Sequence, residues 1–173
     1  MKRFSKSYKL SDKDKFIKKA ISLSKKKSDF ILLNSNNFSD TYDAIIAYDK
    51  LSSIKSINNS LNKLDNYIKE KNDWVFGFLT YDLKNEIEIL NEKNIDVFDL
   101  PNVYFFQPKT IWLIKNNIAT IISINKDALI NDWNEIISIP NYINENEKNN
   151  IELFFRNTKY EYIDKVKKIK ERI

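Results

Sequence analysis

The sequence contains no cysteine and no histidine. Without cysteine there is no disulfide framework and no thiolate metal site. Without histidine there is no Ser-His-Asp triad, no imidazole metal ligand and no imidazole general base among the 173 residues. No apolar run approaches the ~20 residues of a membrane helix. The first ten residues lack the continuous apolar core of a signal peptide. The expectation is a soluble, cytoplasmic protein with no membrane partner. Glycine occurs once and proline three times. Each of these positions is therefore informative about the backbone.

What is present describes a folded domain. Hydrophobic residues make up 42% and aromatics 13% of a chain long enough for a real core. Net charge is +5. The lysines crowd residues 13–27 and 165–170, where they alternate with apolar residues at helical spacing. Such runs are solvated helix faces rather than a phosphate-tracking stripe, so no nucleic-acid partner is expected.

Residues 3–10 are expected to form a first strand. Ser11 is the expected N-cap of a helix carrying Asp12 and Asp14 in its first turn. Phe16, Ile17, Ala20 and Ile21 supply that helix's apolar stripe. Residues 29–34 read as a buried strand, and residues 42–48 as another, with 51–57 pairing against it. Leu61, Leu64 and Ile68 mark a second helix within 58–71. Residues 91–99 read as a loop closed by Pro101, and residues 103–106 as a strand that Pro108 interrupts or places at an edge. Asn116-Asn117 between β-branched runs is a two-residue hairpin turn. Residues 127–137 form a further helix, and Pro140 with the polar run 144–150 forms a linker. Residues 151–155 are a strand candidate. Thr158 and Glu161 then have the spacing of a capping box before a helix with Tyr162, Val166 and Ile169 on one face.

The single glycine, Gly77, lies in the aromatic run Trp74, Phe76, Phe78, Tyr81, which reads as a buried strand followed by a short helical pattern over 83–90. Either it packs in a core strand, or another backbone or a ligand approaches there too closely for a side chain.

Residues 76–88 (Phe-Gly-Phe-Leu-Thr-Tyr-Asp-Leu-Lys-Asn-Glu-Ile-Glu) resemble the N-terminal region of aminodeoxychorismate synthase component I, a relative of anthranilate synthase component I. Residues 100–108 (Leu-Pro-Asn-Val-Tyr-Phe-Phe-Gln-Pro) form a second block resembling that family, and residues 155–169 a third. The resemblance implies an α+β fold with antiparallel sheets packed face to face and helices outside. It implies an anthranilate synthase component I-like N-terminal domain over residues 1–147, and over 148–173 the start of a chorismate-binding domain that is cut short. Gly77, Tyr81, Asp82 and Pro108 are its signature positions. Residues 32–35 are similar to an element that holds tryptophan in anthranilate synthases. Ser35 matches that element as a ligand residue, Asn34 replaces its acidic residue, and a plain turn role for Ser35 stays open.

The family's chorismate, Mg2+ and catalytic residues belong to its C-terminal region. No catalytic or metal residue is therefore carried over, and the chain alone is expected to be inactive. Glu86 and Glu88 are two apart, roughly 200° around a helix. They read as surface charges or contacts to a further domain. The implied activity is transferase-type amination of chorismate to 4-amino-4-deoxychorismate in para-aminobenzoate and folate biosynthesis. Its implied partners are a glutamine amidotransferase and the chorismate-binding domain. The alternatives are the N-terminal regulatory domain of an anthranilate synthase component I, and a non-catalytic remnant or binding domain.

Overall fold

Thirteen consecutive residues, Val103–Lys115, form the strand on which the sheet assembles. The computed structural model describes residues 1–36, 38, 41–88, 98–140 and 154–172. They fall into two compact units, Met1–Asn141 and Tyr142–Ile173. The first contains β1 (Phe4–Lys9), α1 (Lys13–Ser22), β2 (Ile31–Asn34), β3 (Ala44–Ser56), α2 (Ser60–Lys71), β4 (Phe76–Leu79), α3 (Lys84–Ile87), β5 (Val103–Lys115), β6 (Ile118–Ser123) and α4 (Ala128–Ser138). Its class is α+β. All six strands are antiparallel members of one sheet in the order β1-β6-β5-β3-β2, with β4 also on β5. No second sheet occurs among the described residues.

β5 and β6 are joined at Asn116-Asn117, as the hairpin signal predicts, with Lys115 opposite Ile118 and Asn116 at φ 52°. One edge of β5 runs along β3. The other edge is shared, with Val103–Phe106 pairing with β4 and Thr110–Lys115 with β6. Pro108 falls in the gap between those two partners, where a missing N–H leaves no ladder bond unmade on that side. The strand passes through it unbroken. Opposite Pro108 the register of β3 shifts between Lys50 and Ser52, a bulge, and across it the helix-facing residues of β5 change from Trp112 and Ile114 to Val103 and Phe105.

That bulge corrects one expectation. Residues 42–48 and 51–57 do not pair with each other, because they are the two halves of the continuous strand β3. Before the bulge, Ala44, Ile46 and Tyr48 join Trp112, Ile114, Ala119 and Ile121 under α1 and α4. Phe16, Ile17 and Ala20 are the residues that α1 buries there, and Leu129 and Ile136 those of α4. Trp112 is fully buried, edge-on to Phe16 at 5.3 Å. Each such large side chain contributes about 1.5–3 kcal/mol. After the bulge, Ile54 packs with Phe105 and Val103 against Leu64 of α2. The opposite sheet face gathers Ala47, Phe76, Phe106 and Ile111, and the residues packed around them among those described also stand on strands.

The N-cap of α1 is Asp12 rather than Ser11. Its extended backbone lets the carboxylate accept the Lys15 N–H at 3.0 Å. The run 74–81 is not a buried strand. β4 spans only Phe76–Leu79, and of the flanking aromatics Phe76 alone is buried, while Tyr81 is 82% exposed. Its single partner strand and short length explain this, since an edge strand is covered on one side only. The helical pattern that follows gives a 3-10 turn, Tyr81–Leu83, and then α3. Residues 89–97, which include most of the loop expected over 91–99, lie outside the described residues.

In the second unit the described residues centre on α5 (Lys159–Lys170), which begins with the expected capping box. The Thr158 hydroxyl accepts from the Glu161 N–H, and the Glu161 carboxylate accepts from the Thr158 N–H at 2.7 Å. None of the α5 residues is buried. The strand candidate 151–155 and the linker 144–150 lie wholly or mostly outside the described residues. Among the described residues no helix is long and apolar enough to cross a membrane.

Candidate functional site

The two blocks at 76–88 and 100–108 meet in space. β4 pairs with the first half of β5, placing Phe76 opposite Phe106, Gly77 opposite Phe105, Phe78 opposite Tyr104 and Leu79 opposite Val103. At Gly77 the approach is too close for any side chain. A Cβ there would stand 2.0 Å from the Tyr104 carbonyl oxygen and 2.6 Å from Phe105 Cα. Of the two readings of this glycine, close approach by a backbone is the one realised. Its φ is not positive, so the need is for space and not for an unusual conformation.

The gap at Pro108 is filled by a buried polar node. Arg3, just before β1, donates to both Asp73 carboxylate oxygens at 2.8 Å. Its Nη2 also donates to the Pro108 carbonyl oxygen at 2.8 Å and its Nη1 to that of Lys109 at 3.2 Å. The guanidinium thus satisfies backbone acceptors that the sheet leaves unpaired. Asp73 accepts further bonds from Gln107 Nε2 and the Trp74 N–H, both at 2.8 Å. Ser52 donates to Gln107 Oε1 and shares a hydrogen bond with the Tyr67 hydroxyl. Burial alone would raise the Asp73 pKa, but the bonds from Arg3, Gln107 and Trp74 outweigh it and hold the carboxyl below its ordinary value.

A second junction lies at the start of α2. The Asn59 side chain makes no capping bond there. Glu86, on α3, supplies the acceptor instead, taking the Ser60 N–H at 2.6 Å, the Ser60 hydroxyl, and Asn102 Nδ2 at 2.7 Å. A carboxylate at a helix N-terminus is favoured by the dipole as well as by the hydrogen bonds. Burial disfavours the charge, yet the bonds from Ser60 and Asn102 keep the Glu86 pKa low. Glu86 is therefore a cap from one element to another, not a free surface charge.

Tyr81 and Asp82 stand outside both junctions. Lys84 lies over the Tyr81 ring, 4.5 Å from its centroid, and reaches Asp82 at 3.5 Å. Ser35 follows β2 at the far edge of the sheet, so β3 and β5 separate it from Gly77. Its backbone N–H bonds to the Asp43 carbonyl oxygen at 2.9 Å, while its hydroxyl is buried and makes no hydrogen bond. Asp43 is itself engaged by Lys13 at 3.1 Å and by the Asn116 N–H at 2.7 Å.

The signature positions are thus not gathered into one reactive cluster. Gly77 and Pro108 shape the β4–β5 junction, Tyr81 and Asp82 lie on the surface, and Ser35 is alone. Among the described residues no three acidic side chains converge as metal ligands would. Glu145 and Glu147 lie outside the described residues. Sequence reasoning missed Arg3, Asp73, Gln107, Ser60 and Asn102. Gln107 had a visible signal, a large polar residue directly after the apolar and aromatic run Val103–Phe106. Arg3 had none, because its partner is 70 residues away. No protein-family model and no curated protein matches the sequence.

Proposed function

We propose that this chain is the N-terminal scaffold domain of an aminodeoxychorismate synthase component I. With a chorismate-binding catalytic domain and a glutamine amidotransferase that supplies ammonia, it supports amination of chorismate to 4-amino-4-deoxychorismate, in the cytoplasm, for para-aminobenzoate and folate synthesis. One observation carries the reading. Two of the three blocks that together carry the resemblance are hydrogen-bonded neighbours, joined along β4 and β5 and again through Glu86 and Asn102. Their residues act on architecture: Gly77 admits the β5 backbone, Glu86 caps α2, and Gln107 and Pro108 complete the Arg3–Asp73 node. That division of labour suits a scaffold rather than a reaction centre. The family's magnesium and its acid–base groups belong to the catalytic domain, and no step is assigned to a metal held by this chain.

The test is reconstitution. The chain, a separately expressed chorismate-binding domain of this family and a glutamine amidotransferase are mixed with chorismate, glutamine and Mg2+. Co-purification and 4-amino-4-deoxychorismate formation that require the chain support the proposal. Formation of anthranilate moves it to the tryptophan branch, and failure to associate leaves a binding domain without a catalytic link.

A second reading is favoured by the buried, unpaired Ser35 hydroxyl. Buried hydroxyls rarely lack a partner. A ligand of the tryptophan type bound beside residues 32–35 would supply one, as a feedback or structural ligand.

A further inference from the structure

We draw no further inference here: the strongest candidate, the cleft of about 510 Å³ between the start of α1 and the end of α4, lined by Lys9, Lys15, Lys19, Trp133 and Ile137, carries nothing because Lys15 is paired with Asp12 and Lys19 with the Ile137 carbonyl, which leaves a lysine-bearing surface at a helix N-terminus with no buried, unpartnered group aimed into it.

Discussion

Arg3 and Asp73 form a two-pronged ion pair across 70 residues of sequence, with side chains only 8% and 6% exposed. It ties the segment before β1 to the segment before β4 and closes the gap beside Pro108. Removing one partner from such a pair leaves an uncompensated buried charge, which costs about 3–5 kcal/mol. Asp73→Ala is expected to lower stability by that order in urea unfolding. Joint replacement, Arg3→Met with Asp73→Leu, should recover only part of the loss, because it relieves the desolvation of both charges but leaves the Pro108 carbonyl and the Gln107 amide without their partners. A single variant as stable as the parent would mean that the pair is solvated in solution.

The same carboxylate sets a pH dependence. The folded-state pKa of Asp73 lies below its ordinary value, so the folded state favours the ionised form. Its contribution is complete above the unfolded pKa of about 3.9. It shrinks as pH falls below that value and is lost once pH passes the lower folded pKa. In Asp73→Asn, the parent's acid-induced loss of stability between about pH 5 and pH 2 should be shallower. Urea midpoints across that range, compared between the two proteins, measure it, and equal slopes would remove Asp73 from the account.

At Gly77 the two nearest neighbours of an added methyl are backbone atoms, the Tyr104 oxygen and Phe105 Cα, which cannot rotate aside. Gly77→Ala must push β4 off β5 or bend both strands. Overpacking of this kind costs about 1–3 kcal/mol, sometimes more. The expected signature is a lower unfolding midpoint together with faster amide exchange at the β4–β5 pairs. An unchanged midpoint with unchanged exchange would show that the two strands are farther apart than described.

Glu86 caps α2 from a different element, so its loss should loosen both. Glu86→Ala removes the acceptor of the Ser60 N–H and of Asn102. By analogy with N-cap deletions it should cost about 0.5–2 kcal/mol. Glu86→Gln keeps an acceptor oxygen but loses the charge at the helix N-terminus, and should fall between the two. Chemical unfolding of the three proteins gives the order, and a Gln variant weaker than the Ala variant would contradict the capping role.

The helices were legible because their stripes are local. Phe16, Ile17 and Ala20 announce the buried side of α1, and Thr158 with Glu161 announces the cap of α5. The Asn116-Asn117 hairpin was legible for the same reason. What sequence could not display was the bulge opposite Pro108, which makes one strand of two apolar runs and depends on pairing between β3 and β5. Exposure of the residues around Gly77 was equally hidden. An aromatic run looks buried until its strand is known to have one neighbour. Of the site, Gly77 was visible as a position without room for a side chain, with core packing and close approach both open, whereas Arg3 and Asp73 are defined only by each other.

Ser35 separates a turn residue from a ligand residue in one substitution. Its hydroxyl is buried without a hydrogen bond, so Ser35→Ala removes no bond and deletes a desolvated polar group. Stability of the unliganded chain should therefore be unchanged or slightly higher. If residues 32–35 hold a tryptophan-type ligand, L-tryptophan in excess should raise the parent's Tm by mass action, by about 2.7 kcal/mol in stability at 100 times Kd. The alanine variant should lose most of that shift, because the hydroxyl's partner would be the ligand. A Tm shift of equal size in both proteins would place the ligand elsewhere. No shift in either would leave Ser35 as a turn residue whose hydroxyl is buried at a cost, and the stabilisation of Ser35→Ala would then be its only measurable effect.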